Sequence, residues 1–169
     1  MQTDSKKAIV CGTTNSTQNP LPTYGGFSKK TKALVLPNRS FQECDHFNGN
    51  CVLIPDEVFK LVGNLDPLFH HALGDFDYGL RAKKMGVKLI VAPDYIATCE
   101  IHPNLPQWRS PSVSFINRMR FLYSASSGCY PPQFFVFDKR HNGFLKAVFH
   151  FFTIHLRAII PALWNFKSY

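Results

Sequence analysis

Acid is nearly missing from the last part of this chain. Residues 101–169 hold eight Lys or Arg and a single carboxylate, Asp138. Residues 1–100 are close to balance, with 11 basic and 10 acidic side chains, so the net charge of +8 comes almost wholly from the C-terminal part. A segment so basic suits an anionic partner or a solvated face. No recognised nucleic-acid motif accompanies the charge, so nucleic acid is not an expected partner. Cys-x-x-Cys spacing is missing too. The five cysteines, at 11, 44, 51, 99 and 129, are odd in number and suggest neither a zinc site nor a disulfide framework. Buried free thiols in a reducing compartment are expected. Met1 to Lys7 carries no apolar run, so the expectation is a chain without a secretory leader, for which the sequons at Asn15 and Asn38 mean little. No repeat or low-complexity tract occurs.

What is present is a chain of 169 residues, long enough to bury a core, with 45% hydrophobic and 18% charged residues. Ala8 to Gly12 reads as a short strand, and Thr13 to Lys32 as a long polar loop. Ala33 to Leu36 is a second short strand. Cys51 to Ile54 is an apolar run of the kind found in strands buried on both faces. A helix follows, with Pro55 in its first turn, Asp56 and Glu57 at its positive end, Gly63 closing it, and Val58, Phe59, Leu61 and Val62 on its apolar face. A second helix runs from Gly74-Asp75-Phe76-Asp77 to a C-cap at Gly86, with Asp77 and Arg81 at favourable i,i+4 spacing. Strand Lys88–Ala92 stops at Pro93, and Ile96 to Cys99 forms another. The alternation predicts an α/β fold.

From Pro103 the texture changes. Pro103, Pro106 and Pro111 break the chain around Trp108-Arg109, and Val113 to Tyr123 reads as a basic amphipathic helix. Pro131-Pro132 separates it from the last segment. There Leu145, Val148, Phe149, Phe152, Leu156, Ile159, Ile160 and Leu163 fall at helical spacing. Lys146, His150 and Arg157 interrupt the run, which makes it a poor membrane span. Either a helix lying in the headgroup plane or an ordinary packing helix fits residues 144–164.

The ordered set Asn48-Gly49-Asn50-Cys51-Val52-Leu53-Ile54-Pro55, Gly63, Leu65-Asp66, Gly74 to Ala82, Gly86 and Ala92-Pro93 resembles the C-terminal half of the glycosyltransferase family 2 catalytic domain. Tyr24-Gly25-Gly26 fits a linker of one bacterial branch, and the resemblance spans roughly residues 8–142. It implies a partial GT-A, Rossmann-like fold: a mixed sheet flanked by helices, without the N-terminal nucleotide-binding half, and followed by a helical tail. Residues 1–135 are expected to form the acceptor-side half and residues 136–169 a basic, aromatic helical segment. The implied activity is inverting transfer of a hexosyl group from a nucleotide-sugar donor to a glycan or lipid-linked acceptor in cell-surface polysaccharide synthesis. As a fragment lacking that half, the chain is expected to be inactive alone and to self-associate.

Asp75 aligns with the family's catalytic aspartate, the carboxylate that takes the acceptor hydroxyl's proton. The family usually has Glu-Asp where this chain has Gly74-Asp75. A helix N-cap is the alternative role for Asp75. Asn48, Gly49 and Asn50 lie where the family approaches the donor sugar, or form a tight turn. Gly74, Asp77 and Arg81 complete the substrate-side set, with Asp77 expected to pair with Arg81 and support the loop. Trp108 and Arg109 either cover a sugar and contact phosphate or pack in their loop. The resemblance also implies a divalent metal, Mg or Mn, for the full-length enzyme, with His102 a candidate ligand or else a surface histidine. His70-His71 has no third ligand in view. The expected location is cytoplasmic, on the inner face of the cell membrane through residues 144–164. The competing reading is a non-catalytic module that docks on a membrane surface or anionic ligand.

Overall fold

The apolar strand that opens at Ala8 becomes the centre of a mixed sheet. In the computed structural model, residues 7–18, 21–70, 73–101 and 106–164 are described. They form an α/β protein of two compact units, Met1–Asp66 with Gly74–His102, and Pro67–Leu73 with Pro103–Tyr169. The chain thus passes between units at 66/67, 73/74 and 102/103.

In the first unit, β1 (Ala8–Asn15) lies parallel to β8 (Lys88–Thr98), with Ile9 opposite Leu89 and Cys11 opposite Val91. On its other side β1 pairs antiparallel with β2 (Pro22–Tyr24) and β7 (Val52–Leu53), and β5 (Gln42–Glu43) pairs antiparallel with β8. A separate three-stranded sheet has the order β4 (Ala33–Leu34), β3 (Gly26–Ser28), β6 (His46–Phe47). The segment expected as one long loop, 13–32, therefore contributes the end of β1 and two short strands. Each of these two is only three residues long and mixes one aromatic with Pro, Thr, Gly or Ser, too short to show a period.

Pro93 does not end a strand. Cys11 faces Val91 and Thr13 faces Tyr95, so three residues of β8 oppose Gly12 alone. Pro93 sits inside that irregularity, where a missing N–H leaves no ladder bond unmade. The Cys51–Ile54 run is also not a strand buried on both faces. Only Val52–Leu53 is strand, its one partner is β1, and Leu53 is 65% exposed.

Helix α1 (Asp56–Val62) ends at Gly63 with φ of 80°, and α2 (Gly74–Lys84) leads to Gly86, also at 80°, as the C-cap pattern predicts. Only Val58 and Val62 of α1 face the core, while Phe59 and Leu61 are exposed. The first core gathers Ile9, Cys11, Phe47, Tyr78, Leu89 and Val91. Gly79 lets α2 lie flat on it: a Cβ there would stand 2.9 Å from a ring carbon of Phe47.

The second unit is helical. It contains α3 (Phe115–Leu122), α4 (Pro131–Asn142) and α5 (Phe144–Ile159). Pro131-Pro132 begins α4 rather than merely separating segments, because the first helical positions need no N–H partner. Trp108, Leu122, Ile154 and Ala158 make the core. Buried Arg118 closes the end of α5, donating from Nε to the Ala158 carbonyl at 2.8 Å and from Nη2 to that of Ile159 at 3.2 Å. Asp138, also buried, accepts from Asn142 at 2.7 Å and meets Nδ1 of His150 at 2.5 Å, which pins the α4–α5 turn.

Replacing Gly79 by Ala gains about 1 kcal/mol of helix propensity. It also forces a methyl into the buried Phe47 ring, an overpacking cost of about 1–3 kcal/mol. Urea titration of Gly79→Ala is expected to show a net loss of stability.

Candidate functional site

The turn between β6 and β7 and the first turn of α2 come together in the first unit. The Gly49 N–H donates to Oδ2 of Asp75 at 2.7 Å, and the Phe76 N–H donates to Oδ1 at 2.8 Å. Gly49 permits this approach, since a Cβ there would lie 3.2 Å from the Asp75 Cβ. The Asn48 N–H donates to the Gly25 carbonyl at 3.0 Å. Three segments remote in sequence, Tyr24-Gly25-Gly26, Asn48-Gly49-Asn50 and Gly74-Asp75, thus share one neighbourhood. Asn50 is exposed and its amide reaches the Cys99 sulfur at 3.7 Å. Asn48 Oδ1 is buried without a hydrogen-bond partner. Such an acceptor typically costs 1–3 kcal/mol, roughly, when left unmet.

Asp77 and Arg81 do a different job. Asp77 is fully buried, and Arg81 Nε meets its Oδ2 at 2.8 Å. The same guanidinium donates to the carbonyls of Val62 and Asn64, each at 2.9 Å, and lies over the Tyr78 ring. Arg81 therefore satisfies the end of α1 while held to α2. This is the supporting role expected for the pair, and it leaves Asp77 enclosed rather than presented to a substrate.

His46, which sequence reading passes over, borders the site. Its ring stacks on Phe27 at 5.1 Å and meets the edge of Phe76, the residue after Asp75. Burial, then the nearby Lys29, holds its imidazole below the ordinary 6.5, with Lys83 adding to the effect and Asp45 opposing it. Asp45 accepts from the Lys29 N–H at 2.7 Å and pairs with Lys83 at 2.5 Å, contacts that hold its own carboxyl below the usual range. The signal for His46 was only its place two residues before Asn48.

Trp108 is not a surface platform. Its indole is 2% exposed in the second core and donates to the Ser127 carbonyl at 3.1 Å, the packing alternative. Arg109, in the same 3-10 turn, is partly buried. Both belong to the second unit. His70 pairs with Gln133 in that unit, and His102 lies outside the described residues. Among the described residues no group of three or more His, Cys, Asp or Glu gathers to hold a metal ion. All five cysteines are free. The Cys11 thiol is raised well above its ordinary range by its hydrogen bond to Cys44 and by burial.

No family model, curated protein or solved structure matches this chain.

Two measurements check this geometry. Asp77→Ala leaves Arg81 without its buried partner and is expected to lose about 3–5 kcal/mol in denaturant titration. For His46 the unfolded chain takes up a proton that the fold resists, so its stabilising effect is full above pH 6.5 and declines as the pH falls below that value. Melting curves of His46→Gln against pH are expected to be flatter in that range than those of the parent.

Proposed function

We propose that this chain carries the acceptor side of an inverting sugar transferase resembling glycosyltransferase family 2, with Asp75 as the base. The observation that carries the reading is the Gly49 N–H to Asp75 Oδ2 bond of 2.7 Å. It joins the two motifs on which the resemblance chiefly rests. Asp75 is only partly buried, at the first turn of α2, with both oxygens oriented by backbone N–H groups.

In the proposed step, a hydroxyl of a glycan or lipid-linked acceptor seats beside Asp75. Its proton passes to the carboxylate as its oxygen bonds to the anomeric carbon of the nucleotide-sugar donor. The bond from that carbon to the phosphate oxygen breaks with inversion, and the nucleoside diphosphate leaves with the electron pair. The glycine at 49 keeps the backbone close to the carboxylate, and the Asp77–Arg81 pair holds α2 in place beneath it.

The competing reading, a non-catalytic module for anionic surfaces, draws on the outer face of α5 and makes no use of Asp75. Asp75→Asn separates the two, because Asn keeps one oxygen to accept the Gly49 bond while losing the basic carboxylate. Sugar transfer by the protein as its cell makes it is expected to fall about 10²–10⁴-fold in kcat, with the melting temperature held. Normal turnover in Asp75→Asn would overturn the base assignment.

A further inference from the structure

Helix α5 is apolar on two sides. One stripe, with Ala147, Ile154 and Ala158, is buried in its own unit. A second stripe faces outward: Leu145 is 82% exposed, Phe149 63%, Phe152 68%, Leu156 47% and Ile159 50%. At about 100° per residue the two stripes lie on opposite sides of the helix. The outer stripe lines an open apolar groove of about 690 Å³. An ordinary packing helix needs only the inner stripe, so the outer one calls for an occupant.

We propose that the outer face of α5 docks on an anionic lipid surface. The charge on the page chooses this occupant. Lys146 and Arg157 are both exposed, and their positions put them on the same flank of the helix, three turns apart. The only carboxylate in residues 101–169, Asp138, is turned inward and engaged with His150 and Asn142. A second copy of the chain brings only the same net positive charge to the contact. An anionic bilayer meets this basic flank with opposite charge and takes the five apolar side chains below it. Among the described residues no helix is long and apolar enough to cross a membrane, so α5 lies in the interface. This inference does not depend on the role given to Asp75.

The test is co-sedimentation of the full chain with vesicles of phosphatidylcholine containing about one-third phosphatidylglycerol, beside vesicles of phosphatidylcholine alone. Binding is expected to the anionic vesicles at low salt, and to weaken steeply as salt rises. Lys146→Gln with Arg157→Gln is expected to weaken it about thirtyfold, a factor of about five for each basic residue near the surface. Phe149→Ser with Phe152→Ser is expected to abolish it, and the exposure of both rings leaves the melting curve in place as a control on folding. No sedimentation with anionic vesicles at low salt overturns the proposal. So does binding that neither salt nor the Gln pair changes. A discrete dimer by light scattering, split by the Ser pair and blind to vesicles, overturns it in favour of self-association.

Discussion

The buried pair of Asp77 and Arg81 sets the position of everything around Asp75. One guanidinium reaches a carboxylate on its own helix and two carbonyls at and just past the end of another, those of Val62 and Asn64. Those carbonyls have no partner within α1, so Arg81 meets a need that the helix end itself creates. The start of α2 is thereby tied to the end of α1, and the first turn of α2 is held where the Gly49 N–H can reach Asp75. Gly79, one turn along α2, brings that helix down on Phe47. Phe47 in turn precedes the Asn48 turn. The site is thus held by two contacts of the same short helix, the Asp77–Arg81 pair and Gly79 on Phe47.

Much of this was legible in the residues. The caps at Gly63 and Gly86 and the i,i+4 pair follow local rules of backbone and charge, and the two stretches that meet at Asp75 were singled out by the family resemblance. What escaped reading depends on contacts made across the fold. Pro93 looks like a stop until the strand beside it is known to offer an irregularity at Gly12. The exposure of Leu53 reflects an edge position that no local pattern encodes. Trp108 reads equally well as a binding platform or as core, and only the helices that enclose it decide. His46 carries no motif of its own; its setting arises from Phe27, Phe76 and two lysines drawn from separate elements.

The distribution of charge has a structural counterpart. The first unit spends its acids locally, on helix ends and on lysines nearby, as with Asp45 and Lys83. That pair is substantially exposed and adds little to stability. The second unit has one acid and buries it, and it buries one arginine, Arg118, against carbonyls instead of a carboxylate.

The free cysteines extend this picture from position to motion. Cys11 is fully buried and Cys44 is 5% exposed, while Cys51, Cys99 and Cys129 are intermediate. A thiol reagent meets the sulfurs of Cys11 and Cys44 only when the structure around them opens, and meets the other three more readily. Cys11, on the central strand, and Cys44 both lie in the first core, so their labelling follows the opening of that core. Cys99 lies just beyond the end of β8 and reports fraying there. Cys129 packs at the second core and reports that unit alone. The chain so carries, in its native residues, a graded set of clocks for the separate opening of its two units.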